Sequence, residues 1–479
     1  MVARGKEAAA LALHRFGFGP ARDSTSAIAA DPRGALLSDL DREGAGLLAA
    51  KLPSSAAAAR AISDFRAEEQ AKSKLAQRAK KEAEAKGTAM MTSDAAATAP
   101  PTPPRPPEPP LPQLIFQNEA AARYEAAVNA EIGFVERLVW FWSNHFCISA
   151  DKDIPTAGAY EREAIRAHVL GRFADMLIAV ETHPAMLYYL DNTRSMGVDS
   201  IAGINADKGI NENLAREILE LHTLGVRGGY SQADVTSFAN VLTGWTYVDP
   251  ADPARGGEFL FNKRLHEPGE QIVLGKFYAE SGVDQGRAVL ADLARHTATA
   301  HHIAQKLACH FVADTPPPSL VAKLAKAFMD SDGNLKTVAK ALVNADEAWT
   351  PARTKLKRPS EWIVSTLRLT NVPWSANANA PWNIGRVLGV QAALGESLWR
   401  PPAPNGWPDT EAAWIDGVPH RLDFANEFAG RQPHADPAAL LESGLGPLAS
   451  SYTRQAITRA ESRTQALALL AMAPEFLRR

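Results

Sequence analysis

The sequence predicts a mainly α-helical protein, a single large multi-helical domain with a small β-hairpin and a proline-rich disordered insertion. Apolar residues recur with helical period along most of the chain after residue 113, whereas strand-like runs are confined to one short region. A third observation is the low-complexity segment at residues 87–113, whose clustered prolines interrupt the helical patterns. With 479 residues, of which 46% are hydrophobic, the chain is long enough to bury a large core.

Residues 1–86 are predicted to form N-terminal helices, the last of them long and charged. Short helical patterns flank an RFGFGP turn, whose glycines and proline stop a helix. From about residue 55 to residue 86 the sequence is rich in Ala, Lys and Glu, and apolar positions are sparse after Phe65. Most of this helix is therefore expected to be exposed to solvent.

Residues 87–113 are predicted to be a linker or insertion. The segment includes PPTPPRPPEPP, and such a composition favours a disordered or polyproline II backbone. The PxxP spacing is also compatible with a proline-rich ligand, although a linker is the favoured interpretation. The main helical domain then extends over residues 114–479.

The main domain is predicted from a succession of helical-period segments and one hairpin. Two apolar runs, Phe259–Phe261 and 272–274, are separated by turn residues and predict a two-stranded hairpin lying on the helical core. The helical patterns cover residues 118–145, 161–180, 212–224, 232–242, 285–294, 299–311, 318–329, 335–345 and 360–369.

Charge and motif content exclude several functional classes. The net charge of −3, from 51 basic and 54 acidic residues, argues against nucleic acid or an anionic membrane as the main partner. Nucleotide-binding glycine loops, a GxSxG elbow and zinc-spaced Cys/His clusters do not occur. No run of about 18 apolar residues is present to span a membrane, and the N-terminal apolar run is too short for a signal peptide. A cytoplasmic location is therefore expected.

The segment at residues 211–245, NENLAREILELHTLGVRGGYSQADVTSFANVLTGW, carries the densest set of candidate site residues. Drawn as a helix with about 100° per residue, it has one apolar stripe that is predicted to be buried. A second stripe borders the first, so its carboxylates are predicted to be half-buried. The apolar stripe comprises Leu214, Ile218 and Leu221, and the polar stripe comprises Asn213, Glu217 and Glu220.

Glu217 and Glu220 are the leading candidates for catalytic carboxylates. They lie one turn apart, so their mutual repulsion is expected to raise one pKa unless a cation or a metal ion lies between them. Arg216 is the adjacent cation and, with Asn213, a candidate substrate-binding residue. A purely structural alternative is an Arg216–Glu220 surface pair, worth about 0.2–0.5 kcal/mol.

Three residues outside this helix are further catalytic candidates. His145 closes the ERLVWFWSNH helix, where it is either a core histidine or an acid–base group. Asp191 ends a helix in YLDN, where a capping role is the alternative. His266 lies in a turn, and loops on a rigid scaffold often carry sites.

Two tryptophans are candidate substrate-binding residues. Trp245 ends the polar segment, and Trp407 lies in PPAPNGWP, a sequence that is incompatible with a helix or a central strand. An aromatic ring on a stiff loop can stack on a sugar ring or on a partner protein. The alternative is that Trp407 folds back into the core.

Several stretches, in this order, resemble the bacterial family called "domain of unknown function 1800". They include ALALHRFGFGP, FWSNHF, NENLAREILELHTLGVRGGYSQADV followed by LTGW, LHEPGEQIVLG, TAHHIAQKLACHFVAD and PPAPNGWP, and they cover nearly the whole chain. The resemblance implies a fold family without an assigned reaction. It also implies a genomic neighbour that resembles the sulfatase and alkaline-phosphatase superfamily, and frequent export of members. Export while bound to a partner is therefore the alternative to a cytoplasmic location.

Three functional hypotheses follow from the residues and the resemblance together. The first is a hydrolytic or metal-assisted enzyme with a carboxylate/histidine site, for which a divalent metal is a candidate cofactor. The second is a non-catalytic partner or maturation factor of the neighbouring sulfatase/phosphatase-like protein. The third is a carbohydrate-binding helical module that uses the tryptophan loops.

Overall fold

Amphipathic patterns become helices along most of the chain. The computed structural model describes residues 2–21, 23–85, 109–152, 155–206, 209–350, 352–371, 382–432 and 434–479. The α-helices of these residues are Val2–Arg15 (α1), Ser24–Ile28 (α2), Pro32–Asp41 (α3), Ser55–Ala85 (α4), Leu111–Asn129 (α5), Phe134–His145 (α6), Ala157–Tyr160 (α7), Phe173–Glu181 (α8), Pro184–Tyr189 (α9), Asn213–Glu217 (α10), Gln232–Leu242 (α11), Val283–Ala294 (α12), Thr297–Phe311 (α13), Pro318–Asp330 (α14), Leu335–Asn344 (α15), Pro359–Thr370 (α16), Ile384–Ala393 (α17), Val418–Gly430 (α18), Pro437–Gly444 (α19), Ser451–Thr458 (α20), Arg463–Ala471 (α21) and Pro474–Leu477 (α22).

Short helical turns of other types join these elements. Two are π-helical, Glu161–Ile165 and Ile218–Thr223, and both follow directly on an α-helix. The 3-10 turns are Ala150–Lys152, Arg166–His168, Asn192–Arg194, Gly203–Asn205, Asp346–Trp349, Glu411–Ala413, Ile415–Gly417 and Gly446–Leu448. The mainly α prediction is confirmed.

One continuous apolar core connects the first and last described helices. The buried ring of His14 in α1 contacts the Gly444 carbonyl oxygen through Nε2 at 2.9 Å. The neighbouring Arg15 guanidinium donates to the Ala348 carbonyl oxygen at 2.9 Å. These contacts span more than 300 residues of sequence, so the N-terminal helix is part of the main body of the fold.

The beginning of the long helix α4 packs against this body. Ala58 and Ile62 are buried against Ile115 of α5, and they form a small apolar cluster separate from the main core. The Ser55 hydroxyl donates to a Glu163 carboxylate oxygen at 2.6 Å. Residues 66–82 are exposed, as the sparse apolar pattern predicts.

The proline-rich insertion predicted at residues 87–113 lies almost entirely outside the described residues. Its predicted end at 113 is too late, because α5 begins at Leu111. Pro112 lies in the first turn of that helix, where a missing N–H leaves no hydrogen bond unmade.

The structure contains a small hairpin, but the two predicted strands do not pair with each other. Phe259–Phe261 (β2) pairs antiparallel with Trp245–Tyr247 (β1). Gln271–Val273 (β3) pairs instead with Lys276–Tyr278 (β4). β3 pairs with β4 because of the turn between them. Leu274 and Gly275 have φ values of 51° and 72° and form a two-residue turn of the type that favours hairpins.

Within the described part of the chain, no helix is long and apolar enough to cross a membrane. The two cysteines are both free thiols. Cys147 is buried, and Cys309 is half-buried on α13.

Candidate functional site

The polar stripe is predicted on a regular α-helix. The observed helix changes from α-helical to π-helical part of the way along it. Residues 213–217 are α-helical, whereas Ile218–Thr223 is a π-helical turn. The Thr223 hydroxyl donates to the Ile218 carbonyl oxygen at 2.6 Å, and the Leu224 N–H donates to the Leu219 carbonyl oxygen at 3.0 Å. The backbone bond from Leu224 spans five residues, which defines the wider π geometry, and the Thr223 hydroxyl bond reinforces it. The prediction of a regular α-helix over 211–225 is therefore wrong for its second half.

The wider turn changes which residues share a face. Leu214 and Ile218 are fully buried, as predicted, but Leu221 is only half-buried. Glu217 and Glu220 are half-buried, as predicted for a stripe that borders the core, whereas Asn213 is exposed. In a π-helix, residues five apart approach one another, so His222 comes to the side that carries Glu217.

Glu217 is half-buried without a neutralising partner. No described residue forms a hydrogen bond or an ion pair with its carboxylate. The pKa of Glu217 is raised, and burial is the largest cause. The Glu220 carboxylate adds to the rise, whereas His222 and Arg216 oppose it. The expected repulsion between the two glutamates is present, and burial is the larger cause of the raised pKa.

The other polar groups of this helix are satisfied. Glu220 accepts a hydrogen bond from the Tyr230 hydroxyl at 3.0 Å. Arg216 forms an ion pair with Glu212 at 2.8 Å and also donates to the Gln232 side chain at 3.0 Å. Arg216 thus pairs one turn back along the helix, and the alternative Arg216–Glu220 pair does not form in this structure.

Two histidines from other helices bind the end of the π-helical turn. The Nε2 atom of His145 lies 3.1 Å from the His222 carbonyl oxygen, and the Nε2 atom of His302 lies 3.1 Å from the Leu221 carbonyl oxygen. Burial and the nearby charge of Lys306 lower the pKa of both rings, to about 4 in His302. Both rings are therefore neutral near pH 7, and each can donate an N–H to its carbonyl.

The side chain of His222 forms a buried pair. Its Nδ1 atom lies 2.8 Å from Oε1 of Glu181 on α8, and both side chains are almost fully buried. His145, α8 and the π-helical turn are thereby tied together. In this structure His145 serves to join elements of the core, which is the core-histidine alternative of the sequence analysis.

Lys306 is a candidate residue that the sequence analysis missed. It lies on α13 one turn after His302 and one turn before His310, whose Nδ1 lies 2.6 Å from Oδ2 of Asp409. Because residues four apart share a helix face, Lys306 is directed toward the gap between the π-helical turn and the loop that contains Asp409. The only sequence signal was this four-residue spacing of His302, Lys306 and His310.

The amine of Lys306 is half-buried and has no hydrogen bond or ion pair with any described residue. Burial lowers the pKa of Lys306 to about 8, and interactions with Cys147, Asp409 and Cys309 only partly offset this effect. An amine with this pKa is partly neutral at physiological pH, which is the form that accepts a proton.

Cys147 connects Lys306 to Glu217. Burial raises the pKa of the Cys147 thiol to about 12, while Lys306 lowers it and Glu217 raises it. Burial also raises the pKa of Tyr189, and Cys147 and Glu217 add to this rise. Cys147 thus interacts with both Lys306 and Glu217, and Tyr189 interacts with Cys147 and Glu217. We call Cys147, Tyr189, Glu217 and Lys306 the central polar cluster.

The PPAPNGWP loop covers one side of this cluster. The Cys147 thiol donates to the Pro404 carbonyl oxygen at 3.2 Å. The Asn144 side chain bonds both backbone groups of Trp407, accepting from its N–H at 2.8 Å and donating to its carbonyl at 2.9 Å. The Trp407 ring is half-buried and packs against Trp414, with ring centroids 5.9 Å apart. The loop folds inward, as the second interpretation of Trp407 predicts.

The remaining candidates lie apart from the cluster or inside the core. Asp191 has a positive φ of 58° and forms a surface ion pair with Lys152 at 2.8 Å. His266 is buried, and the Nδ1–H of its ring donates to the Thr243 carbonyl oxygen, 2.9 Å away. Trp245 is 0% exposed, so its ring is a core group in this structure.

The candidate residues do not form a ligand set for a metal ion. Within the described ranges, no group of three or more His, Cys, Asp or Glu side chains is placed to hold one. A divalent cofactor therefore stays a prediction from the sequence.

A buried network elsewhere in the described part of the chain shows ionised side chains that are paired, unlike Glu217 and Lys306. Arg137 and Arg479 lie 2.9 Å and 3.1 Å from the two carboxylate oxygens of Glu361. Arg479 also pairs with Asp409 at 3.1 Å, and Asp409 binds His310. Burial raises the pKa of Glu361, but the surrounding arginines lower it to about 2. Such a network stabilises charges in the core by neutralising them.

Comparison with known proteins identifies a family. No curated protein and no solved structure matches the chain. The family model described as "Protein of unknown function (DUF1800)" matches residues 11–478, so the chain belongs to this family.

Proposed function

We propose that the protein is a hydrolytic enzyme whose reactive groups are Glu217 and Lys306. The observation that carries the proposal is that both groups are half-buried and neither is hydrogen-bonded or ion-paired to a described residue. Their pKa values are displaced in opposite directions, upward for the acid and downward for the base. Ionisable groups with such displacements concentrate at reactive sites, because a neutral acid and a neutral base are needed at the same pH.

The two groups supply complementary halves of a hydrolysis. The neutral amine of Lys306 takes a proton from a water molecule, which forms a new bond to the electrophilic centre of the substrate. Glu217, in the protonated form that its burial favours, gives its proton to the leaving group as the old bond breaks. Water is the only co-reactant, and proton transfer of this kind contributes about 10²–10⁴-fold to a rate.

The surroundings of the cluster support this assignment. The thiol of Cys147 and the phenol of Tyr189 both have raised pKa values and are neutral near pH 7. They are therefore available as uncharged neighbours of the reacting groups. The fixed PPAPNGWP loop, held by Asn144, limits access of bulk water from one side.

A panel of chromogenic p-nitrophenyl esters, phosphates, sulfates and glycosides tests the proposal. Turnover of one substrate class is expected in the wild type and a loss of about 10²-fold or more in Lys306→Met and in Glu217→Gln. The matched controls are Lys326→Met and Glu212→Gln, whose side chains are paired elsewhere on the surface. Unchanged turnover in both cluster variants would overturn the assignment.

A second candidate function is that of a non-catalytic partner or maturation factor for the sulfatase/phosphatase-like neighbour. The observation that favours it is the exposure of residues 66–82 of α4. Among them Leu75, an apolar residue, is 63% exposed. A long exposed helix offers a surface for another protein. Co-purification of the neighbour with wild type, and its loss when residues 66–82 are replaced by a Gly/Ser linker, is the test.

A further inference from the structure

A second site-like feature lies away from the central polar cluster. The beginning of α4 faces the start of α9 and the end of β1 across a cleft of about 470 Å³. This volume falls in the range of small-molecule sites, about 300–1,000 Å³. We propose that this cleft binds a short neutral oligosaccharide.

The shape of the cleft is elongated. One wall is a single face of α4, where lining residues recur at helical spacing from Ala59 through Ile62 and Arg66 to Gln70. With a rise of about 1.5 Å per residue, this wall is about 16 Å long. The cleft is therefore long enough for a chain of linked rings.

Two tyrosines form the opposite wall. The Tyr188 ring is 40% exposed, and its centroid lies 6.5 Å from that of Tyr247 with a 60° angle between the ring planes. The two rings thus form a corner with an accessible aromatic face. Aromatic side chains combine an apolar face with a polar edge, which matches the alternating apolar and hydroxyl-bearing surfaces of a sugar ring.

The polar groups of the cleft suit a neutral ligand that both donates and accepts. Ser63, Gln70 and Thr156 supply hydroxyl and amide groups, and Asp249 and Arg66 supply one charge of each sign. These charges balance, so the cleft has no net preference for an anion or a cation.

Both ring nitrogens of His183, the histidine that lines the cleft, already have hydrogen-bonding partners. The Nδ1 atom of His183 accepts from the Ala185 N–H at 3.1 Å, and its Nε2 lies 3.2 Å from a Glu163 carboxylate oxygen. His183 therefore holds this wall of the cleft in place. A pre-formed wall is expected of a small-molecule site.

An extended peptide is a poorer fit than a saccharide. Recognition of a peptide backbone by strand addition needs a free strand edge. One edge of β1 is paired with β2, and its other flank packs against α9 and the Asn192–Arg194 turn. No free edge of β1 therefore faces the cleft.

Calorimetric titration of the full chain with cello-, chito-, xylo- and malto-oligosaccharides tests the proposal. Saturable binding of one of them is expected in the wild type. Tyr188→Ala should weaken it about tenfold, because it removes the accessible aromatic face of the cleft. Asp249→Asn should weaken it as well. Tyr452→Ala is the matched control, because Tyr452 is 78% exposed and far from the cleft lining.

The proposal would be overturned if none of these saccharides bound saturably, or if wild type and Tyr188→Ala bound them with equal affinity. Binding of a proline-rich peptide in place of the saccharides would also overturn it. The substitutions at Glu217 and Lys306 should leave saccharide affinity unchanged, so this test is independent of the proposed hydrolysis.

Discussion

His145 and His222 are joined through a single hydrogen-bonding contact, in which Nε2 of His145 lies 3.1 Å from the carbonyl oxygen of His222. The ring of His222 in turn lies 2.8 Å from the Glu181 carboxylate. Through these contacts α6 and α8 hold the π-helical turn that presents Glu217. The histidines therefore position the cluster from within the core, whereas Glu217 and Lys306 are the groups left without partners.

The buried Glu181–His222 pair is expected to be important for stability. Glu181→Ala removes one member of a buried pair and leaves the other without a partner, which costs about 3–5 kcal/mol. Asp330→Ala is the control, because its ion pair with Lys326 is exposed and worth about 0–1 kcal/mol. Urea unfolding measures both free energies. Similar losses in the two variants would contradict a stabilising role for the buried pair.

Glu217 should make stability depend on pH in one direction. Burial raises its pKa above the ordinary 4.5, so the folded chain keeps this proton to higher pH than the unfolded chain. Its contribution to stability is present below pH 4.5 and is lost as pH rises through the folded-state pKa. Glu217→Gln cannot ionise, so its stability relative to wild type should increase as pH rises from 4.5.

Glu212 is the matched control for this titration, with the opposite sign. Hydrogen bonds from Thr236 and Gln232 lower the pKa of Glu212, so its contribution is lost as pH falls. Unfolding free energies measured at several pH values compare the two variants with wild type. The same sign of pH dependence in Glu217→Gln and Glu212→Gln would show that Glu217 is not desolvated.

Lys306 should produce a separate pH dependence at alkaline pH. Burial lowers its pKa to about 8 from 10.5, so between these values the unfolded chain binds more protons than the folded chain. Stability therefore rises with pH across this window in wild type. The rise should be smaller in Lys306→Met than in wild type, with the remainder coming from buried Lys357, whose pKa is also lowered. It should be unchanged in Lys326→Met, whose lysine is on the surface. Thermal unfolding at several pH values is the measurement, and a rise of equal size in Lys306→Met would refute this origin.

The position of the PPAPNGWP loop over the cluster should depend on Asn144. Asn144→Ala removes two hydrogen bonds to the Trp407 backbone, at 2.8 Å and 2.9 Å, with an expected loss of about 1–3 kcal/mol. Hydrogen exchange of residues 401–408 should become faster. Asn205→Ala is the control, because its single side-chain contact is exposed and long, at 3.4 Å. Unchanged exchange in the Asn144 variant would show that other contacts hold the loop.

The half-buried position of Glu217 could be predicted from sequence, because Leu214 and Ile218 mark the buried side of the same helix. The π-helical turn could not, since a helical wheel assumes one period and Thr223 gives only a weak signal of its extra hydrogen bond. The mainly helical fold followed from long periodic segments. The pairing of β2 with β1 did not, because it depends on contacts between residues far apart in the chain.

Lys306 was missed for a related physical reason. On its own helix it occupies an ordinary polar position, and its isolation depends on what His302 and His310 contact in other parts of the chain. Burial of the amine is a tertiary property that spacing alone does not reveal. The inward packing of Trp407 is likewise fixed by Asn144, which lies more than 200 residues away in sequence.

The pKa of the Lys306 amine is the most direct test of the proposed reactive centre. Reductive ¹³C-methylation of the lysines followed by NMR titration gives each pKa, and Lys306→Arg assigns the resonance. The proposal predicts a value of about 8 for Lys306, because burial of the amine disfavours its charged form. A value near 10.5 would contradict it.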